Sequence, residues 1–314
     1  MSDQRDIFLN ELLTKARADK MVMLLSADMG APSLDTWRKD LPKQVLQTGI
    51  AEQSTINFGA GLASRGYKVY VYAMGSWAAR CFEQMRYSCA IAKNPITFLA
   101  NGVALGYVPA GPAHEPTEDI AYMRTLCGIE IHSPTNDNMV KSLVDLTYKY
   151  PFFRHIRLER KNDKSLDLLY NNEDMSSLIN MGMSTLNKGK QACIVSSGYM
   201  LGRALKLKDL LKIKNNLDIG VVDVWRIKPI SPSIFQKTFE NYSHIITIEE
   251  QTLSGGFGSA ICEMSCDLNM MHKFLRLGLP ERYIFDNGTR DEVLNACGLS
   301  IDNMYNQIIS FYNK

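Results

Sequence analysis

The chain has 314 residues, of which 46% are hydrophobic and 22% charged, and its net charge is +2. That length suits two domains of about 150 residues each, with the composition of an ordinary globular protein. Near-neutral charge without a basic stripe interleaved with aromatics argues against a nucleic-acid partner, and the lack of any apolar run of about 20 residues argues against a membrane helix.

The opening segment, MSDQRDIFLNELL, is charged and amphipathic and has no apolar signal-peptide core. In chain order, periodicity and β-propensity predict a helix over 4–17 and a strand over 21–27, then a helix over 53–64 and a strand over 68–74. A helix over 78–92, a strand over 95–100, helices over 117–126 and 136–149, and a strand over 152–158 follow. Glu118 and Asp119 suit the first turn of the helix over 117–126, and Pro134-Thr135-Asn136 reads as a cap before the next. The polar stretch over 160–175 reads as a linker, dividing the chain into 1–165 and 176–314. Beyond it, strands over 191–197, 219–225 and 244–250 alternate with helices over 199–214, 231–240, 257–270 and 291–311. This alternation predicts an α/β fold of two doubly wound domains with largely parallel sheets. Seven cysteines stand at 81, 89, 127, 193, 262, 266 and 297, with no Cys-x-x-Cys pair. Cys262 and Cys266 have helical spacing but no nearby His, so reduced thiols in a cytoplasmic protein are expected over a metal site.

The run Gly49-Ile50-Ala51-Glu52-Gln53, followed by a small-residue helix and a strand, sets a carboxylate at a loop-to-helix junction. If that helix packs as its composition indicates, Glu52 must be capped, paired or used. Further along stand AMGSWAARCFEQMR (73–86), GPAHEPTED (111–119), IKPIS (227–231) and TIEEQTLSGGFGSAICE (247–263). As an ordered series these segments resemble the thiamine diphosphate-dependent transketolase family. They cover its pyrimidine-binding and C-terminal domains, and are also similar to the C-terminal half of 1-deoxyxylulose-5-phosphate synthase and to 2-oxo acid dehydrogenase β subunits.

The resemblance implies that Glu52 hydrogen-bonds N1′ of the cofactor's aminopyrimidine and activates the cofactor, with Ile50 in the same motif beside it. It implies that Trp77, with Met74 a turn earlier, stacks on that ring, although both types also suit a helix core. Asp28 matches an Asp near the cofactor. His114 is implied to face the substrate and move protons there, work that suits an imidazole. Arg5, Ser33 and Arg160 match residues that hold a substrate phosphate, with Arg157 an equal alternative to Arg160 and a plain surface role open for each. Arg80, Glu83, Gln84 and Arg86 are expected in structural or interface roles, as are Glu249 and Glu250.

Two departures stand out. Ala110 occupies the place of a usual Asp, and Gly102 lies near the place of a usual His, so an altered sugar substrate is expected. The Gly-Asp-Gly sequence, followed downstream by Asn, with which the family holds the cofactor diphosphate through Mg²⁺, is absent. The expectation is a split enzyme: a β-type subunit whose separate partner carries that domain and most of the Mg²⁺ contacts, in an α2β2 heterotetramer. The expected reaction moves a two-carbon ketol unit from a ketose or phosphoketose to an aldose. The alternatives are a pyruvate-using 1-deoxyketose synthase, a 2-oxo acid dehydrogenase β subunit, and a non-catalytic module.

Overall fold

The computed structural model describes residues 3–160, 164–170 and 173–313. The expected linker therefore falls partly outside the described residues. Twelve strands are described: β1 (Val22–Ser26), β2 (Val45–Gln47), β3 (Lys68–Met74), β4 (Ile96–Asn101), β5 (Glu130–His132), β6 (Arg154–Leu158), β7 (Met183–Asn187), β8 (Ala192–Ser196), β9 (Ile219–Val224), β10 (Arg226–Lys228), β11 (His244–Thr252) and β12 (Lys273–Leu279). They form a seven-stranded sheet, β10-β5-β6-β4-β3-β1-β2, and a five-stranded sheet, β12-β11-β8-β9-β7. All pairings are parallel except β10 on β5 and β7 on β9.

The central strands β1, β3 and β4 carry apolar side chains on both faces, as a sheet covered on both sides requires. In β3, Tyr70 and Tyr72 join a core with Phe8, Leu12, Trp37 and Leu143, whereas Val69, Val71 and Ala73 join the opposite core with Ile56, Ala60 and Met85. The first face is covered by α1 (Gln4–Ala18), α2 (Pro32–Asp40) and the helix Asp137–Lys149, the second by α3 (Glu52–Ala63). Gly59 lets α3 lie close on the sheet, since a Cβ there would meet Val69 and Ile96 side chains at 3.2 and 3.3 Å.

The main expected strands and helices are present, and the differences have local causes. The helix expected over 78–92 is broken into Trp77–Arg80, Phe82–Gln84 and a π-helical turn, Met85–Ile91. The helix expected over 291–311 is interrupted at Gly298, which has φ +83°, and restarts with Ser300 capping the amide of Asn303. α2 and the helix Met175–Met181 were not expected, nor were β2, β5, β7, β10 and β12, each short or partly polar. β10 belongs to the C-terminal half of the chain yet completes the first sheet. One apolar cluster also runs from Ile56 and Val71 through Ile131 to Val195, Val222 and Phe257, so the halves share a core.

Candidate active site

In an open parallel sheet, ligand sites lie beyond the carboxyl ends of the strands, where the strand order reverses. Here β1 is flanked by β2 on one side and β3 on the other, so the reversal lies between β1 and β3. Asp28 stands just past β1, Gly49 to Glu52 past β2, Met74 and Trp77 at the end of β3, the loop bearing His114 past β4, and Arg160 past β6. Residues scattered over half the chain thus reach one edge of one sheet.

Glu52 opens α3, where the helix dipole favours an anion. Its side chain is 4% exposed, and Oε2 accepts from Nη1 of Arg80 at 3.2 Å. Oε1 is buried and accepts from nothing among the described residues. A buried carboxylate oxygen without a donor is costly, and it fits a ligand that brings a hydrogen-bond donor. Gly49, at φ +72°, turns the chain into this helix, leaving Ile50 exposed beside it. Met74 is buried at the end of β3 and Trp77 is half-buried against the core, each with apolar surface near this edge. Asp28 is exposed.

His114 ends a 3-10 turn, Pro112–His114, entered through Gly111 at φ +74°. Its Nδ1 is buried without a partner among the described residues. The next residue, Glu115, is 4% exposed with neither oxygen hydrogen-bonded. Burial, with Glu250 and Asp286 nearby, pushes its carboxyl up to about 7. The loop closes on the strand ends, since a Cβ on Gly75 would meet Pro116 at 2.9 Å.

Arg5, Ser33 and Arg160 are brought together, but through two carboxylates. Arg5 donates to Asp6 at 2.8 Å and pairs with Asp3 at 3.2 Å, while the Ser33 hydroxyl donates to Asp6 at 2.6 Å. Arg160 lies 3.8 Å from Asp3, with its guanidinium over the Tyr107 ring at 4.2 Å. Arg157 is not part of this group. It lies within β6, donating to Asp119 at 2.8 Å and to Ser133 at 3.1 Å. Burial alone would raise the Asp119 carboxyl, but Arg157 and His155 outweigh it and hold it below the ordinary range.

Gly102 has a structural partner. At φ +70°, a Cβ there would overlap the Tyr107 ring, whose hydroxyl accepts from Asn101 at 2.6 Å. The tyrosine occupies the space a side chain at 102 would need. Sequence reasoning alone misses Asp3, Asp6, Tyr107 and Glu115, although Asp6 follows Arg5 directly and Glu115 follows His114. It puts Arg80 on the helix but does not connect it to Glu52.

A doubly wound sheet whose carboxyl edge carries a half-satisfied buried glutamate defines a class, and comparison with known proteins makes it specific. Residues 2–163 match the transketolase pyrimidine-binding domain and residues 183–304 the transketolase C-terminal domain, so the chain belongs to the transketolase family. It is 28% identical over 312 residues to one subunit of the apulose-4-phosphate transketolase of Phocaeicola vulgatus, covering 99% of this chain and 97% of that one. It is also 28% identical over 300 residues to 1-deoxy-D-xylulose-5-phosphate synthase of Histophilus somni, but there spans only 46% of the relative's length. In fold it is similar to a split-gene transketolase solved as an inactive beta4 tetramer, with TM-score 0.83, 24% identity and coverage of 99% and 98%. Transketolase of Pichia stipitis superposes with TM-score 0.81 at 18% identity, over 99% of this chain and 46% of that one.

Proposed function

We propose that this chain is the β-type subunit of a heteromeric, thiamine diphosphate-dependent transketolase, moving a two-carbon ketol unit from a ketose to an aldose. The observation that carries the reading is Glu52, buried at the start of α3 with one oxygen held by Arg80 and the other unpartnered among the described residues. When bound, thiamine diphosphate supplies the nucleophilic carbon and the electron sink that breaking a carbon–carbon bond beside a carbonyl requires. Glu52 holds and moves the proton at N1′ of its aminopyrimidine. Trp77, Met74 and Ile50 supply apolar surface for the ring, with Asp28 at the rim. His114 donates to and accepts from the substrate oxygen. Each of these roles is a proposal, supported by the shared sheet edge and by the donor and acceptor types present.

A separate subunit with the Gly-Asp-Gly…Asn domain grips the diphosphate and holds most of the Mg²⁺ contacts, in an α2β2 assembly. The near-complete coverage of a relative named as a subunit supports this division. Free thiols at all seven cysteines support a reducing, cytoplasmic setting.

The test is an assay of the reconstituted pair with ketose donors against pyruvate. Ketol transfer to an aldose is expected, and strict dependence on pyruvate overturns it in favour of a 1-deoxyketose synthase or a 2-oxo acid dehydrogenase β subunit.

A further inference from the structure

Gly102 stands where β4 gives way to the loop that carries His114, and the Tyr107 ring fills the space beside it. With φ +70° at Gly102, a Cβ there would overlap that ring. The ring is fixed at its far end, where the Tyr107 hydroxyl accepts from Nδ2 of the fully buried Asn101 at 2.6 Å. Its face is used as well. The Arg160 guanidinium, just past β6, lies 4.2 Å from the ring centroid, within reach of a cation–π contact. Arg160 Nε is buried without a hydrogen-bond partner among the described residues, and an Asp3 oxygen stands 3.8 Å from it. The side chain still keeps 31% of its surface exposed at the carboxyl edge of the sheet. Burial raises the Tyr107 hydroxyl above its usual range, and Arg160 and Arg5 draw it back, so both cations lie close to it. A free arginine samples many rotamers, and ordering it on a ligand costs entropy. One whose flat face already rests on a fixed ring has given up much of that freedom before a ligand arrives. What it then presents is the edge of its fork, which meets an oxyanion through two parallel hydrogen bonds.

We infer that Tyr107 is a positioning residue, whose ring, lodged over Gly102, holds the Arg160 guanidinium ready for the anionic, phosphate-ester end of the substrate. It acts through the arginine and not on the reacting atoms. The role belongs to the ring, since Gly102 and Arg160 both meet the ring, while the hydroxyl serves to anchor it on Asn101. The same arrangement explains the glycine: a side chain at 102 would evict the ring and with it the support under Arg160. This inference rests on the ketol-transfer reading for its substrate but not for the support of Arg160 by Tyr107, and the test separates the two.

With the reconstituted complex, kcat and KM are measured for a ketopentose and for its terminal phosphate ester, in the native enzyme and in Tyr107→Leu, Tyr107→Phe and Arg160→Ala variants. Tyr107→Leu is expected to raise KM for the ester about five- to tenfold with kcat held, and to leave KM for the free sugar unmoved. Tyr107→Phe keeps the ring and is expected to hold KM for the ester within about twofold of native. In an Arg160→Ala background, Tyr107→Leu is expected to add nothing further, because the tyrosine acts through the arginine. KM raised equally for both sugars overturns the inference. So does a Phe variant as impaired as the Leu variant, or a full further loss in the Arg160→Ala background. Calorimetry with inorganic phosphate gives a second readout that needs no turnover. Binding lost in Arg160→Ala, weakened in Tyr107→Leu and kept in Tyr107→Phe is expected. The absence of Arg160-dependent binding in the native complex, or binding indifferent to Tyr107→Leu, overturns the inference. If neither sugar is a donor, the ketol-transfer reading fails, and the calorimetric arms still decide whether Tyr107 positions Arg160.

Discussion

Glu52 has three things acting on it at once: burial, the N-terminus of α3, and a single arginine whose side chain is 57% exposed. Arg80 satisfies one oxygen and leaves the other available inside the protein, an arrangement suited to a ligand that donates one hydrogen bond. Glu52→Gln keeps the size and one acceptor but cannot exchange a proton. Turnover of the complete complex is expected to fall by about two orders of magnitude or more, with the fold retained by circular dichroism. Near-native turnover in that variant sinks the assignment. Glu52 is legible in the sequence because its context is local, a glycine turn before it and a small-residue helix after it. The pairing of Asp6 is not legible, because it depends on Ser33, 27 positions away, and on which way Arg5 turns.

The same contrast holds at the scale of elements. Long apolar strands such as β3, β4 and β9 declare themselves by composition. Short ones such as β2 and β10, three residues each, exist because a neighbouring strand offers its edge, and no periodicity can show in so few residues. The π-helical turn at Met85–Ile91 reads as plain helix because its apolar spacing differs little from an α-helix over two turns. The contact between the ends of β6 and β11 is equally hidden. Arg290 donates to Glu250 at 2.7 and 2.5 Å and to Glu159 at 2.9 Å, with its guanidinium 3.9 Å over the Tyr199 ring. Glu159 and Glu250 are each 4% exposed in their side chains, so neither finds water if the arginine is removed. Arg290→Met is expected to destabilise the chain by about 3–5 kcal/mol in urea unfolding, because two buried carboxylates lose their shared counter-ion. A loss within about 0.5 kcal/mol contradicts the clamp.

At the scale of the whole molecule, buried acids set the pH response. Burial lifts Asp223 to about 7 against the hydrogen bonds from Thr135 and Tyr170, and lifts Glu249 to about 8 against those from Gly258 and Phe257. Both carboxyls stay protonated in the fold where the unfolded chain has already ionised, so the folded state binds more protons. Their contribution is complete below about pH 4 and is lost as pH rises through about 7 to 8. Glu130 acts in the opposite sense. Burial would raise it, but His132 and Arg154 prevail and hold it at about 2, so its contribution is lost as pH falls from 4.5 toward 2. Unfolding free energy is therefore expected to decline between about pH 4 and 8, and Asp223→Asn is expected to flatten that slope. An unchanged slope in urea titrations across this range contradicts the assignment to Asp223. The pH response belongs to both halves at once, because Asp223 of β9 accepts from Thr135 in the first half of the chain. β10 extends the same entanglement, since residues 226–228 finish a sheet begun by residue 22. Neither half is a self-contained parcel. If the polypeptide were expressed as two pieces, cut between β6 and β7, the pieces should find each other and complement, while each alone would present an open sheet edge and aggregate.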